Sequence, residues 1–328
     1  DDGFLYRDEL LATFLSVAVS DIQSIPPERA AALVLRQFEG DSFDALERRI
    51  RRNYSLREAL EYTEPEDVPD GTSLWRAFDE LQPEELRDCL QSMCGEVLAE
   101  YDHAGEFILI DGTHIAAWAN TREEIEDGDV EGASWGYHEG KFYGYKVFLV
   151  VDAASELPVA ITMETGSRND SKAFTPLIEE FDDRYDFEDI QAVLADAGFD
   201  SQKNREQSQQ RLSSPLLTVI NPRRSKPLKA IKEEIKRLFK KHGDEIDSPY
   251  DALERLPQKQ LSEYGVEVGS VEETYIFQAI KERMHRHLRA GVERVFSRLK
   301  SFTGLDRVRA RKENNVETHA VLSAVALV

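Results

Sequence analysis

Between residues 107 and 222 the chain lays down hydrophobic patterns in an order that leaves few folds open. The run FILIDGTHIAAWA, beginning at Phe107, is apolar and strand-like; it ends on Asp111 and resumes after Gly112. GYKVFLVVDAASELPVAITMETG follows with two stretches of period near two joined by the polar turn DAASEL, so a three-stranded meander is predicted, with Asp152 in its turn. NDSKAFTPLIEEFDDR then has helical period, with Asn169 or Asp170 as its cap, and IQAVLADAGF is a buried-type strand ending on Asp196. SQKNREQSQQRL is helical again, and SPLLTVINP is the last strand. A meander followed by helix, strand, helix and strand predicts an α/β fold built on a mixed sheet with helices on both faces.

What flanks this region is helical. Residues 1–104 read as an all-helical N-terminal domain, with runs such as DELLATFLSVAVSDI, PERAAALVLRQF and PEELRDCLQSMCGEVLAEY. Pro26 and Pro27 stop the first helix, Thr72 or Ser73 is expected to cap the helix carrying Trp75 and Phe78, and Pro83 suits the first position of the next. Short helices with tight turns permit a helix-turn-helix, so DNA-end binding and plain helical packing are both open to this domain. Residues 222–274 interrupt the sheet pattern with a charged helix, the loop HGDEIDSPYD and a short acidic segment. They are an insertion between the first part of the core, 105–221, and its last part, 275–328.

Composition excludes several classes. At 328 residues and 41% hydrophobic content the chain can bury a sizeable core. No apolar run approaches the roughly 20 residues that span a bilayer, and no signal pattern opens the sequence, so no membrane partner and a cytoplasmic, nucleoid-associated location are expected. Cys89 and Cys94 lack the Cys-x-x-Cys spacing of a thiolate metal site. The net charge of −22 is unevenly spread: residues 222–241 hold nine Lys/Arg against two Glu, and residues 281–312 hold eleven against three acids. The strongly acidic remainder suits a very salty cytoplasm, and a halophilic source is expected. The two basic blocks mark where a polyanion would sit, the alternative being charge clustering on solvated helices.

The second block contains HLRAGVERVFSRLK. If helical, it aligns Leu288, Val292, Val295, Leu299 and Phe302 on one apolar stripe, and sets Glu293 among Arg286, Arg289 and Lys300 on another face. One reading of that face is an i,i+4 ion-pair ladder contributing roughly 0.2–0.5 kcal/mol per pair. The other is a carboxylate ligand within a phosphate-binding surface, which needs further carboxylates to converge on Glu293. Asp111 and Asp196 supply them: each ends a strand and is followed within two residues by Gly112 or Gly198, at the kind of sheet edge where ligands collect. Asp, Asp and Glu are hard oxygen donors suited to two Mg²⁺ (or Mn²⁺) ions about 3.5–4 Å apart, which activate water or a 3′-hydroxyl for attack at phosphorus.

The segments ILIDGTHI, VLADAGFDS and HLRAGVERVFSRLK resemble the three catalytic blocks of the DDE-type transposases of bacterial and archaeal insertion sequences. In that family the third block reads Tyr, two residues, Arg, three residues, Glu, six residues, Lys. Arg289, Glu293 and Lys300 keep the spacing, while Arg286 stands at the tyrosine position. GYKVFLVVDAASELPVAITMETG, SRNDSKAF and NPRRS are also typical of the family, and the likeness covers residues from about 105 to 320. It implies an RNase H-like catalytic core, a metal-dependent endonuclease and strand transferase acting in DNA recombination, and a halophilic archaeon as source. Asp111, Asp196 and Glu293 would be the metal ligands, and Arg289 and Lys300 would contact DNA phosphates.

Arg286, Arg223, Arg224 and Lys146 are further candidate phosphate contacts. Asp200, four residues beyond Asp196, competes with it as second ligand; His114 is read as a sheet-packed histidine. Some relatives stack a tryptophan of the insertion on a flipped base. Here Trp75, Trp118 and Trp135 all precede the insertion, leaving Tyr250, Tyr264, Tyr275 and Phe277 as substitutes. The expected partners are double-stranded element ends and target DNA, bound by a homodimer because two ends are held together. Rival readings are a decayed or domesticated copy that only binds DNA, another RNase H-like nuclease such as a junction resolvase, and a housekeeping enzyme without a DNA role.

Overall fold

The computed structural model describes residues 2–328 except 120–122, 124, 126–129, 138, 139, 188 and 224, with side chains outside 2–9 and 19. The N-terminal region is helical: α1 (Asp2–Asp21), α2 (Pro27–Glu39), α3 (Phe43–Arg52), α4 (Tyr54–Ala59), α5 (Gly71–Glu80) and α6 (Pro83–Leu98). Pro27 and Pro83 open their helices, where a missing N–H costs nothing. The cap of α5 is Asp70 rather than Thr72 or Ser73: its carboxylate accepts from the Ser73 N–H at 2.6 Å, and Thr72 and Ser73 fall inside the first turn. A carboxylate also meets the positive end of the helix, an advantage a hydroxyl lacks.

The sheet follows, with β1 (Phe107–Ala116), β2 (Ser134–Tyr137), β3 (Lys141–Asp152) and β4 (Pro158–Thr165). Helix α7 (Asp170–Asp182), β5 (Ala192–Ala195), α8 (Gln202–Leu212) and β6 (Leu216–Thr218) complete it. Strands β1, β3 and β4 are antiparallel neighbours, and β5 and β6 add in parallel beside β1. This is the expected mixed sheet with flanking helices, plus one strand, β2, that pairs with the start of β3. The first strand does not end at Asp111. It runs unbroken to Ala116 along β3, and a Cβ at Gly112 would come within 2.6 Å of the Phe148 ring, so that glycine makes room for a β3 side chain rather than a turn.

The second half is helical: α9 (Lys226–His242), α10 (Pro249–Arg255), α11 (Gln258–Tyr264), α12 (Val271–His285), α13 (Ala290–Ser301) and α14 (Glu313–Val325). Helix α13 lies across β1 and β3, while α6, α7 and α14 pack on β4. Two hydrophobic cores result. The larger runs without a break from Leu11 and Phe14 through α2, α5 and α6 into β1, β3 and β5 and on to α14, so the N-terminal helices share the sheet's core. The smaller, built on Ile231, Ile235, Leu256, Ile276 and Ile280, belongs to the insertion. It also takes in Tyr275 and Ala279, so α12 packs with the insertion although much of it lies beyond residue 274.

Candidate active site

Asp111 and Asp196 become neighbours through strand register. The parallel ladder of β1 and β5 pairs Ile108 with Val193, Leu109 with Leu194 and Ile110 with Ala195. The next residues in step are Asp111 and Asp196, where β5 stops and β1 continues, so both carboxylates stand at the point where one side of β1 loses its partner. Asp196 turns its Oδ1 to the Ala197 N–H at 2.6 Å and caps a single 3-10 turn, Ala197–Phe199. Asp111 is half-buried with its Oδ1 on the Gly112 N–H at 2.8 Å.

Glu293 reaches the same place from α13. That helix begins at Ala290, after a 3-10 turn at Arg286–Arg289, and Glu293 lies exposed in its first turn. Gly291 allows the approach: a Cβ there would sit 3.0 Å from Leu109 Cδ1, on the strand face that also carries Asp111 and Thr113. The core-facing residues of α13 are Val292, Val295, Phe296 and Leu299. Phe302, expected on that stripe, is 66% exposed because the helix has ended at Ser301. Two turns beyond Glu293, Lys300 donates from Nζ to Thr113 Oγ1 at 2.6 Å, which ties α13 to β1.

The three carboxylates line one cleft of about 640 Å³ between the sheet and the insertion. Burial pushes the Asp111 carboxyl up to about 6, and the nearby Asp196 and Glu293 charges push the same way, against the Gly112 N–H and the Arg289 guanidinium. The two neighbouring acids therefore make Asp111 harder to ionise, a repulsion that a cation relieves. Arg289 carries the nearest positive charge. It is 3.6 Å from Asp196 and 3.5 Å from Glu282, and pairs with these rather than with Glu293 one turn on in α13, so the ion-pair ladder does not form there.

Glu282 was not anticipated. It is buried on α12 and lines the cleft, its carboxyl raised by desolvation against the pull of Arg289 and Arg286. The only sequence signal was an acid two helical turns before Arg289. Lys232, Glu233 and Lys236 of α9 and Arg283 and Arg286 line the cleft too, so the wall that α9 and α12 supply is net basic, with four cations against Glu233 and Glu282.

The remaining candidates lie elsewhere. Arg223 donates to the Asp200 carbonyl at 3.0 Å beyond β6; Arg224 falls outside the described residues. Lys146 is engaged by Asp170 at 2.7 Å and the Arg168 carbonyl at 2.9 Å, away from the cleft. Asp200 is 4% exposed and accepts from the Asn221 N–H, the Tyr275 hydroxyl and Arg205, so it organises the junction with the insertion and has no oxygen turned to the cleft acids. His114 stacks near Phe142 in the sheet, and Asp152 accepts from the Gly105 and Ser155 N–H groups in the hairpin turn, as expected of both. Of the insertion's aromatics, Tyr275 is buried and Tyr250 is 68% exposed against Phe277.

The donor chemistry of Asp111, Asp196 and Glu293 fits divalent cations: all hard oxygens, from three elements, facing one cleft and repelling one another. They are not drawn into a closed ligand cluster; among the described residues no group of three acid, His or Cys side chains is arranged to hold a metal ion. Among the described residues, too, no helix is long and apolar enough to cross a membrane. Residues 102–328 match the family model described as Transposase DDE domain, a span that starts just before β1 and takes in all three carboxylates. No curated protein matches the chain.

Proposed function

The chain belongs to the transposase DDE-domain family, whose members are metal-dependent enzymes that cut and join DNA, and from that premise we propose that it binds the terminal inverted repeats of its own insertion sequence, hydrolyses their 3′ ends and transfers them to target DNA. The observation that carries this reading is what meets in one cleft: Asp111, Asp196 and Glu293 from the sheet and α13, and a net basic wall of Lys232, Lys236, Arg283 and Arg286 with Glu233 and Glu282 among them. Acids alone would repel a polyanion, and cations alone would bind it without chemistry. Facing each other, they hold a phosphodiester over a carboxylate set.

In this reading Asp111, Asp196 and Glu293 would hold two Mg²⁺ or Mn²⁺ ions, which when bound supply activation of the attacking oxygen and stabilisation of the leaving one. The protein's own part is to orient. Parallel register fixes Asp111 beside Asp196, and the Lys300–Thr113 hydrogen bond keeps α13, and with it Glu293, over β1. Arg289, held between Asp196 and Glu282, would take a phosphate oxygen, and Arg286 and the lysines of α9 would grip the backbone further out. Arg223, held at the Asp200 carbonyl, would add a phosphate contact outside the cleft, and Arg224, outside the described residues, is proposed as another from its place beside it in the sequence. Two ends must be cut and joined together, so the active form is a dimer on DNA.

The net charge of −22 supports a halophilic source, an archaeon in our reading, and a salty cytoplasm where the protein acts on the nucleoid. There counterion release contributes little, so direct hydrogen bonds supply more of the affinity. The test is cleavage of a labelled duplex spanning one element end, in molar KCl with Mg²⁺ or Mn²⁺, by the parent and by Asp196→Asn. Metal-dependent cutting at the boundary by the parent alone is expected. Equal cutting by the variant would displace Asp196 from the site, and binding without cutting would favour a DNA-binding relic.

A further inference from the structure

A second cationic pocket lies away from the cleft. Where α2, α3 and α5 meet the end of β1 and the segment after α13, a pocket of about 260 Å³ is lined by Arg36, Arg309, Arg311 and Lys312, with Asp79 the one carboxylate among the described lining residues. That carboxylate is already used: it accepts from Lys312 at 2.7 Å and from Asn315 at 2.8 Å. The Arg36 guanidinium stacks 4.2 Å from the centre of the Phe43 ring, and its buried Nε has no hydrogen-bond partner. Asp41, the acid that would offset Arg36, is held by Arg49 at 2.6 Å. Burial lowers the Arg36 pKa to about 10, and the like charge of Arg309 lowers it further in the same direction. In a chain of net charge −22, two guanidinium groups kept close, with Asp41 the acid felt by Arg36 and no carboxylate between the two among the described residues, make a site for an anion.

The same pocket is flanked by two large aromatic side chains left in solvent, Trp75 at 46% and Trp118 at 41% exposure. Cations beside flat, exposed rings are what a nucleotide needs, a phosphate for the arginines and a base for the indoles. A paired base is already stacked within its duplex, so the rings favour an unpaired one. The pocket is also not the cleft: from Asp111 to Ala116 the strand alone covers roughly 17 Å, and Trp118 lies beyond it. The groove continues past Trp75 towards Ser42, Asp44 and Thr72, leaving room for a chain rather than a single nucleotide, with Asp44 the one acid of that stretch among the described lining residues.

We propose that this pocket binds a nucleotide of an unpaired DNA strand, with a phosphate between Arg36 and Arg309 and a base against Trp75 or Trp118. The inference rests on the reading that the protein works on DNA, and gives its N-terminal region a contact of its own with a strand that has left the duplex.

The experiment compares a labelled single-stranded oligodeoxynucleotide of mixed sequence with the same sequence as duplex, by fluorescence anisotropy, for the full chain and for Arg309→Ala and Trp118→Ala. Both side chains are exposed, so the variants should melt with the parent. Each is expected to weaken single-strand binding about tenfold and duplex binding less than twofold. Irradiation of an iododeoxyuridine-substituted strand should attach it to Trp75 or Trp118. Single-strand affinities within twofold of the parent, with duplex still bound and cut, would overturn the pocket while leaving the transposase reading intact. Loss of both DNA forms by the parent would remove both.

Discussion

The N-terminal helices and the insertion are both helical additions to one sheet, and they meet it in different ways. Apolar side chains of α1, α2, α5 and α6 run into the sheet's own core, and the seam is stitched by charge: Arg87 of α6, 8% exposed, bonds to the Ile161 carbonyl of β4 and pairs with Glu84, Glu180 and Glu317. Arg184, after α7, answers with Glu84, Asp88 and Glu180. The insertion instead closes a core of its own, which reaches the sheet at Ile220 and along β6, and adds polar contacts such as Tyr275 with Asp200, 2.6 Å apart. The first addition is part of what keeps the carboxylates in register; the second is a separate wall brought up to them.

The comparison breaks most readily at Arg87. Arg87→Ala strands Glu317 of α14 and leaves the Ile161 carbonyl without this donor, while Glu84 and Glu180 keep Arg184, so the loss is expected at about 3 kcal/mol, the low end for a buried pair broken from one side. If helices and sheet are one cooperative unit, denaturant melts followed by helix and aromatic signals should both shift by that amount and stay coincident. Two transitions, with only the helical one displaced, would mean that the shared core does not couple them.

The insertion should respond the other way. Ile276 is fully buried in its core, and Ile276→Ala is expected to cost about 2–5 kcal/mol there. Amide exchange should rise across residues 226–285 while β1 keeps its protection, because the unfolding unit is the small core alone. A uniform loss of protection through β1 would merge the two regions.

Acid offers a third and gentler probe. His319 of α14 is buried at the edge of the fused core, donates from Nε2 to the Gly304 carbonyl at 3.1 Å, and burial lowers its pKa to about 4. The folded protein therefore keeps this imidazole neutral where the unfolded chain, with a value near 6.5, takes up a proton. Stability from this group is intact above pH 6.5 and is lost as pH falls towards 4, by up to about 3 kcal/mol. The melting midpoint of the fused core should fall over that window, and His319→Gln should flatten the slope. A slope unchanged in the variant would assign acid sensitivity to other groups.

How much of this was legible beforehand differs between the same two regions. Helix starts at Pro27 and Pro83 and the strand order from Phe107 onward are local signals, and they survive into the structure. Asp111 and Asp196 could be picked out as candidates, but their adjacency depends on the parallel register of β1 with β5, which no local pattern encodes. Strand β2 escaped notice because SWGY is four residues with neither side buried. Glu282, Lys232 and Lys236 were unreadable as cleft residues, since they gain that role only when the insertion docks. Phe302 shows the reverse error: a stripe extrapolated one residue past the helix end.

The smallest effect tests that docking directly. Lys236 is exposed on α9, on the cleft wall supplied by the insertion, and no part of the acidic wall depends on it. Lys236→Ala should leave the melt unchanged and weaken duplex binding by a few-fold at low salt. It should also reduce the slope of log affinity against log salt by about one, the signature of a single lost phosphate contact. In molar KCl the difference should nearly vanish, because the released counterions then gain little. An unchanged slope would place the DNA elsewhere and leave the basic wall as a counter-charge for the three carboxylates. The slope therefore decides whether the insertion grips the substrate or only balances the site.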